Sequence, residues 1–321
     1  MWPVSARVAA MRLRDHGTRS AGILHERTRV LKRDSRRLAS DSPPQQTLAG
    51  ETELTGVGVH SGRPARVRLL PAEADTGLRF RRVDLPDAPE IPALLEYVQA
   101  DQLARRTTLG LNGQVCVATV EHLLSACLGL GLDNAIIEVD SEEMPIFDGS
   151  AEPIARAILD SGLAELDRPR RYYELSRPVI YDRSPVQIVG LPLPTLRVTY
   201  FVEFDNAVLP FQAGHFQIAP ETYGSELAPA RTFCFLRDVE RLQAQGLIQG
   251  GSFDCAVVIA EDRILNEPLR FPDEMIRHKV IDLLGDLCLL GRPLRGHISA
   301  WRAGHASHIE FLKTLKEALL P

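Results

Sequence analysis

R277-H-K-V-I-D-L-L-G-D286 sets the reading of this chain. Its apolar residues Val280, Ile281, Leu283, Leu284 and Leu287 recur at helical intervals with no proline among them, which predicts an amphipathic helix. His278, Asp282 and Asp286 then stand at i, i+4 and i+8, along one side of it. An imidazole and a carboxylate one turn apart can grip a single cation, as the two histidines of H-E-x-x-H do. A zinc site needs a third protein ligand, with one position left open if the site is catalytic.

That third ligand is offered far upstream, in T119-V-E-H-L-L-S-A126, a second helical pattern in which Glu121 directly precedes His122. The set becomes two nitrogens and one oxygen, from His122, His278 and Asp282, with the Glu121 carboxylate spare beside them. Alone, H-x-x-x-D on a helix more often marks an exposed ion pair, and an isolated E-H says less still. The two stretches together carry the argument.

Composition narrows the rest. With 321 residues and 45% hydrophobic content, the chain can bury the cores of two ordinary domains. No apolar run approaches the length of a membrane span. Five scattered cysteines, never in C-x-x-C, predict reduced thiols and a cytoplasmic protein, and argue against a cysteine metal site. Residues 1–45 hold ten of the basic and four of the acidic groups, so the remainder carries 27 basic against 38 acidic. So acidic a body is a poor general nucleic-acid binder. The first 45 residues lack apolar periodicity and an h-region, and are set aside as a disordered or targeting leader. Organelle targeting is the weaker alternative to a bacterial cytoplasmic location, because Asp15, Glu26, Asp34 and Asp41 interrupt the basic run.

From Gln46 onward the pattern is ordered. Thr47–His60 alternates like one strand, S61-G-R-P64 turns, and Ala65–Leu70 returns as a second strand. Further strands are expected at Gly77–Arg81, Thr107–Leu111, Gln114–Val117 and within G131-L-D-N-A-I-I-E-V-D140. Helices are expected at Val120–Leu130, capped by Thr119, and at Ile154–Ser161. D167-R-P-R-R171 reads as a linker. After it come strands at Tyr173–Ile180, Val186–Val189, Leu196–Glu203, Cys255–Ala260 and Gly296–Ala300, and helices at Arg237–Gln245, Asp273–Leu290 and Ala306–Leu319. Two halves of similar α+β content, 46–168 and 172–321, each supply part of the metal set, which predicts a site between them. His60, His215, His297 and His308 show no partner spacing and are expected to be structural or exposed. The acidic run Glu138–Glu143 is expected to be a solvated loop, and Asp148 to tie a turn. No P-loop or dinucleotide-binding fingerprint is present.

Taken in order, eight stretches resemble the zinc-dependent UDP-3-O-acyl-N-acetylglucosamine deacetylases of lipid A synthesis. They are G56-V-G-V-H-S-G62, T119-V-E-H-L-L-S-A126, D133-N-A-I-I-E-V-D140, P145-I-F-D-G-S-A151, A230-R-T-F233, G250-G-S-F-D254, R277-H-K-V-I-D-L-L-G-D286 and A303-G-H305. The resemblance implies an α+β fold of two similar sandwich domains packed through their helix layers. Each domain carries a small insert, the second at 233–265 lining an apolar passage for the acyl chain. It implies zinc on His122, His278 and Asp282, although two imidazoles and a carboxylate also suit iron(II).

The same resemblance implies Glu121 as general base, and His305 as second catalytic group oriented by Asp286. Thr232 would stand beside the reacting carbonyl, and Lys279 and Phe233 against the substrate. Read from the residues alone, Lys279 serves equally well as a solvated helix lysine and Phe233 as core. The implied reaction is hydrolysis of the N-acetyl group to acetate and UDP-3-O-acyl-glucosamine, by a monomer acting on a small molecule. The alternatives are a zinc amidohydrolase for another acylated amino sugar, or a non-catalytic relative that binds the sugar nucleotide or acyl chain.

Overall fold

The computed structural model describes residues 42–319, apart from 267. The expected leader at 1–45 therefore lies almost wholly outside the described residues. From Pro44 onward the chain forms one compact unit with a mixed α+β architecture. Among the described residues no helix is long and apolar enough to cross a membrane.

Six helices are used below: α1 (Glu121–Leu130), α2 (Glu152–Ser161), α3 (Pro220–Glu226), α4 (Leu236–Ala244), α5 (Glu274–Cys288) and α6 (His305–Leu319). One strand plan appears twice. The first sheet runs Thr52–Val57, Pro64–Pro71, Ala135–Val139, Leu78–Arg82, Glu90–Pro92. The second runs Val179–Arg183, Val186–Leu191, Leu294–Trp301, Leu196–Glu203, Phe211–Gln217, with Tyr173–Glu174 added parallel to its central strand. Each opens with an antiparallel hairpin. In each, the third position is filled by a strand that arrives late, after a long helix, and pairs parallel with the strand beyond it. Burial alternates along Pro64–Pro71 and Leu294–Trp301, so each sheet has one covered face and one wet face.

The long helices before the two late strands are α1 and α5, which hold equivalent places in the repeated plan. They pack against each other, and α5 also lies on strands Leu196–Glu203 and Phe211–Gln217. Nine of the ten α1 residues are buried, as expected for a helix enclosed on all sides. Gly285 permits the contact: a Cβ there would lie 2.2 Å from the Glu121 carbonyl oxygen. Helix α1 ends at Gly131, whose φ of 82° is left-handed and costs a glycine little.

Several expectations change. Thr47–His60 is two strands: Pro44–Leu48 pairs with Leu163–Pro169, and Thr52–Val57 pairs with Pro64–Pro71. Period-2 alternation does not reveal that the partner changes at Ala49–Gly50. Tyr173–Ile180 is likewise split, because S176-R-P178 interrupts it and Pro178 has no N–H for a ladder. The expected linker 167–171 is anchored, since Asp167–Pro169 end a strand and Arg170 donates to Asp133 at 2.9 Å. Thr119 does not cap α1. It has φ 58°, and its hydroxyl donates to Glu143 at 3.2 Å. Glu143 is buried, not solvated, and also receives the N–H groups of His60 at 2.8 Å and Ser61 at 2.7 Å. Phe211–Gln217 and α3 are additional elements.

Gly285→Ala should force α1 and α5 apart, because the obstructing atom is backbone. We expect a loss of about 1–3 kcal/mol, or more if the helices cannot yield, together with lost activity. Thermal melts check this, and a wild-type melting temperature would show that the helices tolerate a wider spacing.

Candidate active site

Each half supplies one strip of the site from its buried helix. On α5, Glu274 is fully buried and accepts from Arg231 at both its backbone N–H, at 3.0 Å, and its Nε, at 2.8 Å. That clamp ties A230-R-T-F233 to the start of the helix. One turn further on, the Ala230 carbonyl sits 3.0 Å from His278 Nδ1. A carbonyl only accepts, so Nδ1 carries the hydrogen and Nε2 is left with its lone pair. Nε2 lies 3.4 Å from Asp282 Oδ1, as the i, i+4 spacing predicts. The His122 ring, from α1, stands edge-on to His278 with centroids 4.9 Å apart.

The donor atoms of His122, His278 and Asp282 lie within 4.8 Å of one another. Burial first, and His278 next, push His122 down to about 3. His278 is lowered too, chiefly by burial. Asp282 is held well below the usual carboxylate range: burial opposes its charge, but Lys279 and His278 outweigh it. Two neutral imidazoles and one ionised carboxylate, already converging, are the forms a divalent transition metal requires. The residues present fit such an ion.

A second cluster adjoins the first. Asp286, fully buried, accepts at Oδ2 from His305 Nδ1 and from His308 Nδ1, each at 2.8 Å, and at Oδ1 from the Thr107 hydroxyl at 2.6 Å. Burial disfavours both charges, yet the pairing prevails: His305 is raised to about 9 and Asp286 lowered to about 2. Glu121 faces His305 across 4.0 Å and accepts from the Thr107 N–H at 3.0 Å. Burial lifts it to about 7, against the pull of His305.

Glu121, His122, His278, Asp282 and His305 line a cleft of about 1000 Å³ together with Thr232, Phe233 and Lys279. Of the residues expected at the site, all but Asp286 line the cleft; Asp286 is buried behind His305. Lys279 is not a solvated lysine: it is largely buried and donates to Asp282 Oδ2 at 2.8 Å. Phe233 lines the cleft and also packs on a small apolar cluster, edge-on to Phe204 at 5.6 Å. The far wall comes from a small parallel sheet, Phe233–Phe235 with Val257–Ile259, and from α4, within the segment expected as the second insert. A two-stranded antiparallel sheet, Thr108–Leu111 with Val115–Ala118, lies in the first half.

A family model described as "UDP-3-O-acyl N-acetylglycosamine deacetylase" matches residues 45–317. The chain belongs to this family. Among similar curated proteins, the UDP-3-O-acyl-N-acetylglucosamine deacetylase of Oleidesulfovibrio alaskensis is 42% identical over 85% of this chain and 89% of its own. That of Thermosynechococcus vestitus is 42% identical over 85% and 94%. That of an Anaeromyxobacter strain is 44% identical over 82% and 85%.

Two residues of this deacetylase-family site were not expected. His308 is buried and structural, one of the two readings expected, but its hold on Asp286 beside His305 was not foreseen; the H305-A-S-H308 spacing carries that signal, because i and i+3 share a side of α6. Thr107 carries none: it is a loop threonine whose partners are distant in sequence.

The Asp286–His305 pair sets a pH test in metal-free protein. The stability from Asp286 is present above its ordinary value and lost as pH falls toward 2. That from His305 is complete below about 6.5 and lost as pH rises through about 9. Asp286→Asn should therefore flatten the melting curve between pH 6.5 and 9. Wild-type and variant curves that stay parallel there would show that the pair carries no such stability.

Proposed function

We propose that this chain hydrolyses the N-acetyl amide of UDP-3-O-acyl-N-acetylglucosamine, releasing acetate and leaving the UDP-3-O-acyl-glucosamine of lipid A synthesis. The observation that carries this is a single cleft containing a three-donor cation set, a buried carboxylate near neutral pKa and a carboxylate-bound imidazole. His122, His278 and Asp282 would hold zinc, or iron(II). Such an ion, when bound, acidifies a water toward a pKa of ~7 and polarises an amide carbonyl.

The chain's own groups move the protons. Glu121, next in sequence to His122 but outside the donor set, takes the proton of the attacking water. The tetrahedral oxyanion has the Thr232 hydroxyl and the His305 imidazolium as donors along the cleft. Asp286 occupies His305 Nδ1, so the Nε2 proton faces Glu121 and the cleft. From there it can reach the leaving nitrogen before the C–N bond breaks. Glu121, once protonated, is the second source of that proton. Lys279 holds Asp282 ionised and presents its remaining N–H groups to substrate oxygens.

Phe233 and the wall from 233–265 suit the apolar parts of the substrate. We assign the two halves as 46–168 and 172–321. One chain supplies every group of the site, which supports a monomer as the working unit. Five free thiols support a cytoplasmic setting.

Glu121→Ala should reduce acetate release by roughly 10²–10⁴-fold while bound metal stays near wild type. Equal release by both proteins would remove Glu121 from its role. In wild type, kcat/KM should rise as Glu121 ionises and fall as His305 loses its proton near pH 9. The acid limb should lie at or below pH 7, because a nearby cation favours the carboxylate. His305→Gln should abolish the alkaline limb, and a limb that persists would assign it elsewhere.

A further inference from the structure

We propose that Thr107 is a positioning residue that holds the base Glu121 and the acid His305 in one register, through its peptide on one side and its hydroxyl on the other. The proposal deepens the deacetylase reading and rests on it for the roles of Glu121 and His305. Thr107 is completely buried, in the connection before strand Thr108–Leu111. Its N–H donates to Glu121 Oε2 at 3.0 Å, and its carbonyl accepts from Val120 N at 3.3 Å, so its peptide grips the start of α1. Its hydroxyl reaches across to α5 and donates to Asp286 Oδ1 at 2.6 Å. The same oxygen lies 3.1 Å from His305 Nδ1. One residue therefore touches the base, the acid and the carboxylate that aims the acid.

The two oxygens of Asp286 differ in their support. Oδ2 receives both imidazoles, whereas among the described residues Thr107 is the sole donor to Oδ1. The terminal torsion of an aspartate is broad, so a carboxylate held at one oxygen can turn. Without the hydroxyl, a buried anionic oxygen lacks a partner, which is costly. The group turns to recover one, and His305 moves with it. The peptide contact to Glu121 does not depend on the side chain, so the base stays in place. Loss of the hydroxyl should therefore disturb the acid alone, acting on turnover rather than on substrate binding.

Thr107→Val keeps the shape and the N–H and removes only the hydroxyl. Thr107→Ser restores it, and Thr107→Ala is a second hydroxyl-free variant without the risk of overpacking. With the metal-loaded full chain, we expect both hydroxyl-free variants to lose roughly ten- to hundredfold in kcat with KM within about twofold. Serine should recover most of the loss at an unchanged melting temperature. Wild-type turnover in Thr107→Val and Thr107→Ala, or a loss that serine does not rescue, would overturn the proposal.

An independent readout is the downfield proton resonance of His305 Nδ1–H, assigned by its loss in His305→Ala. It should persist in Thr107→Ser and shift or broaden in the hydroxyl-free variants. If wild type releases no acetate, the deacetylase reading fails on that result alone. The resonance then decides for Thr107: rescue by serine upholds its hold on His305, and no change in Thr107→Val refutes it.

Discussion

The site depends on how closely two buried helices approach. Helix α1 carries Glu121 and His122, α5 carries His278, Asp282 and Asp286, and neither strip is complete alone. They meet because Gly285 offers no side chain where the Glu121 backbone passes. That close approach lies three residues from Asp282 and one from Asp286, so tight packing sits beside the candidate site. Interiors packed this closely transmit displacement rather than absorb it. The strand plan repeats around the helices, and it brings the same element of each half to the contact.

Burial alone would give every titratable group here its neutral form. It succeeds at His122 and His278, whose imidazoles stay neutral and suited to a cation. It fails at Asp286 and His305, where a 2.8 Å pairing outweighs desolvation and preserves both charges. Glu121 falls between, lifted by burial and restrained by His305. Three of the histidines lining the cleft are thus divided into two neutral imidazoles and one charged one by burial and by their partners: a backbone carbonyl at His278, a carboxylate at His305.

Much of this was legible in the sequence. The spacing of His278, Asp282 and Asp286 placed three groups along one side of α5, and Glu121–His122 proposed the partner helix. Both are short-range periodic features, the kind that one-dimensional patterns record well. Less legible were contacts whose partners are distant in sequence. Thr107 meets Asp286 across 179 positions, and nothing near R105-R-T-T-L109 announces it. Lys279 stayed open between solvent and substrate because helical spacing assigns a side but not what covers it. Glu143 looked solvated for the same reason, although three donors converge on it. The division of Thr47–His60 was hidden because alternation marks a strand without naming its neighbour.

The central claim is that α1 and α5 together build one cation site from His122, His278 and Asp282. The most direct test is anomalous diffraction at the absorption edge of the bound metal, using crystals of the protein as purified. The account predicts one strong peak, bonded to all three side chains and adjacent to Glu121 without bonding to it. A peak on other residues, or full metal occupancy in a variant lacking two of the three, would contradict it.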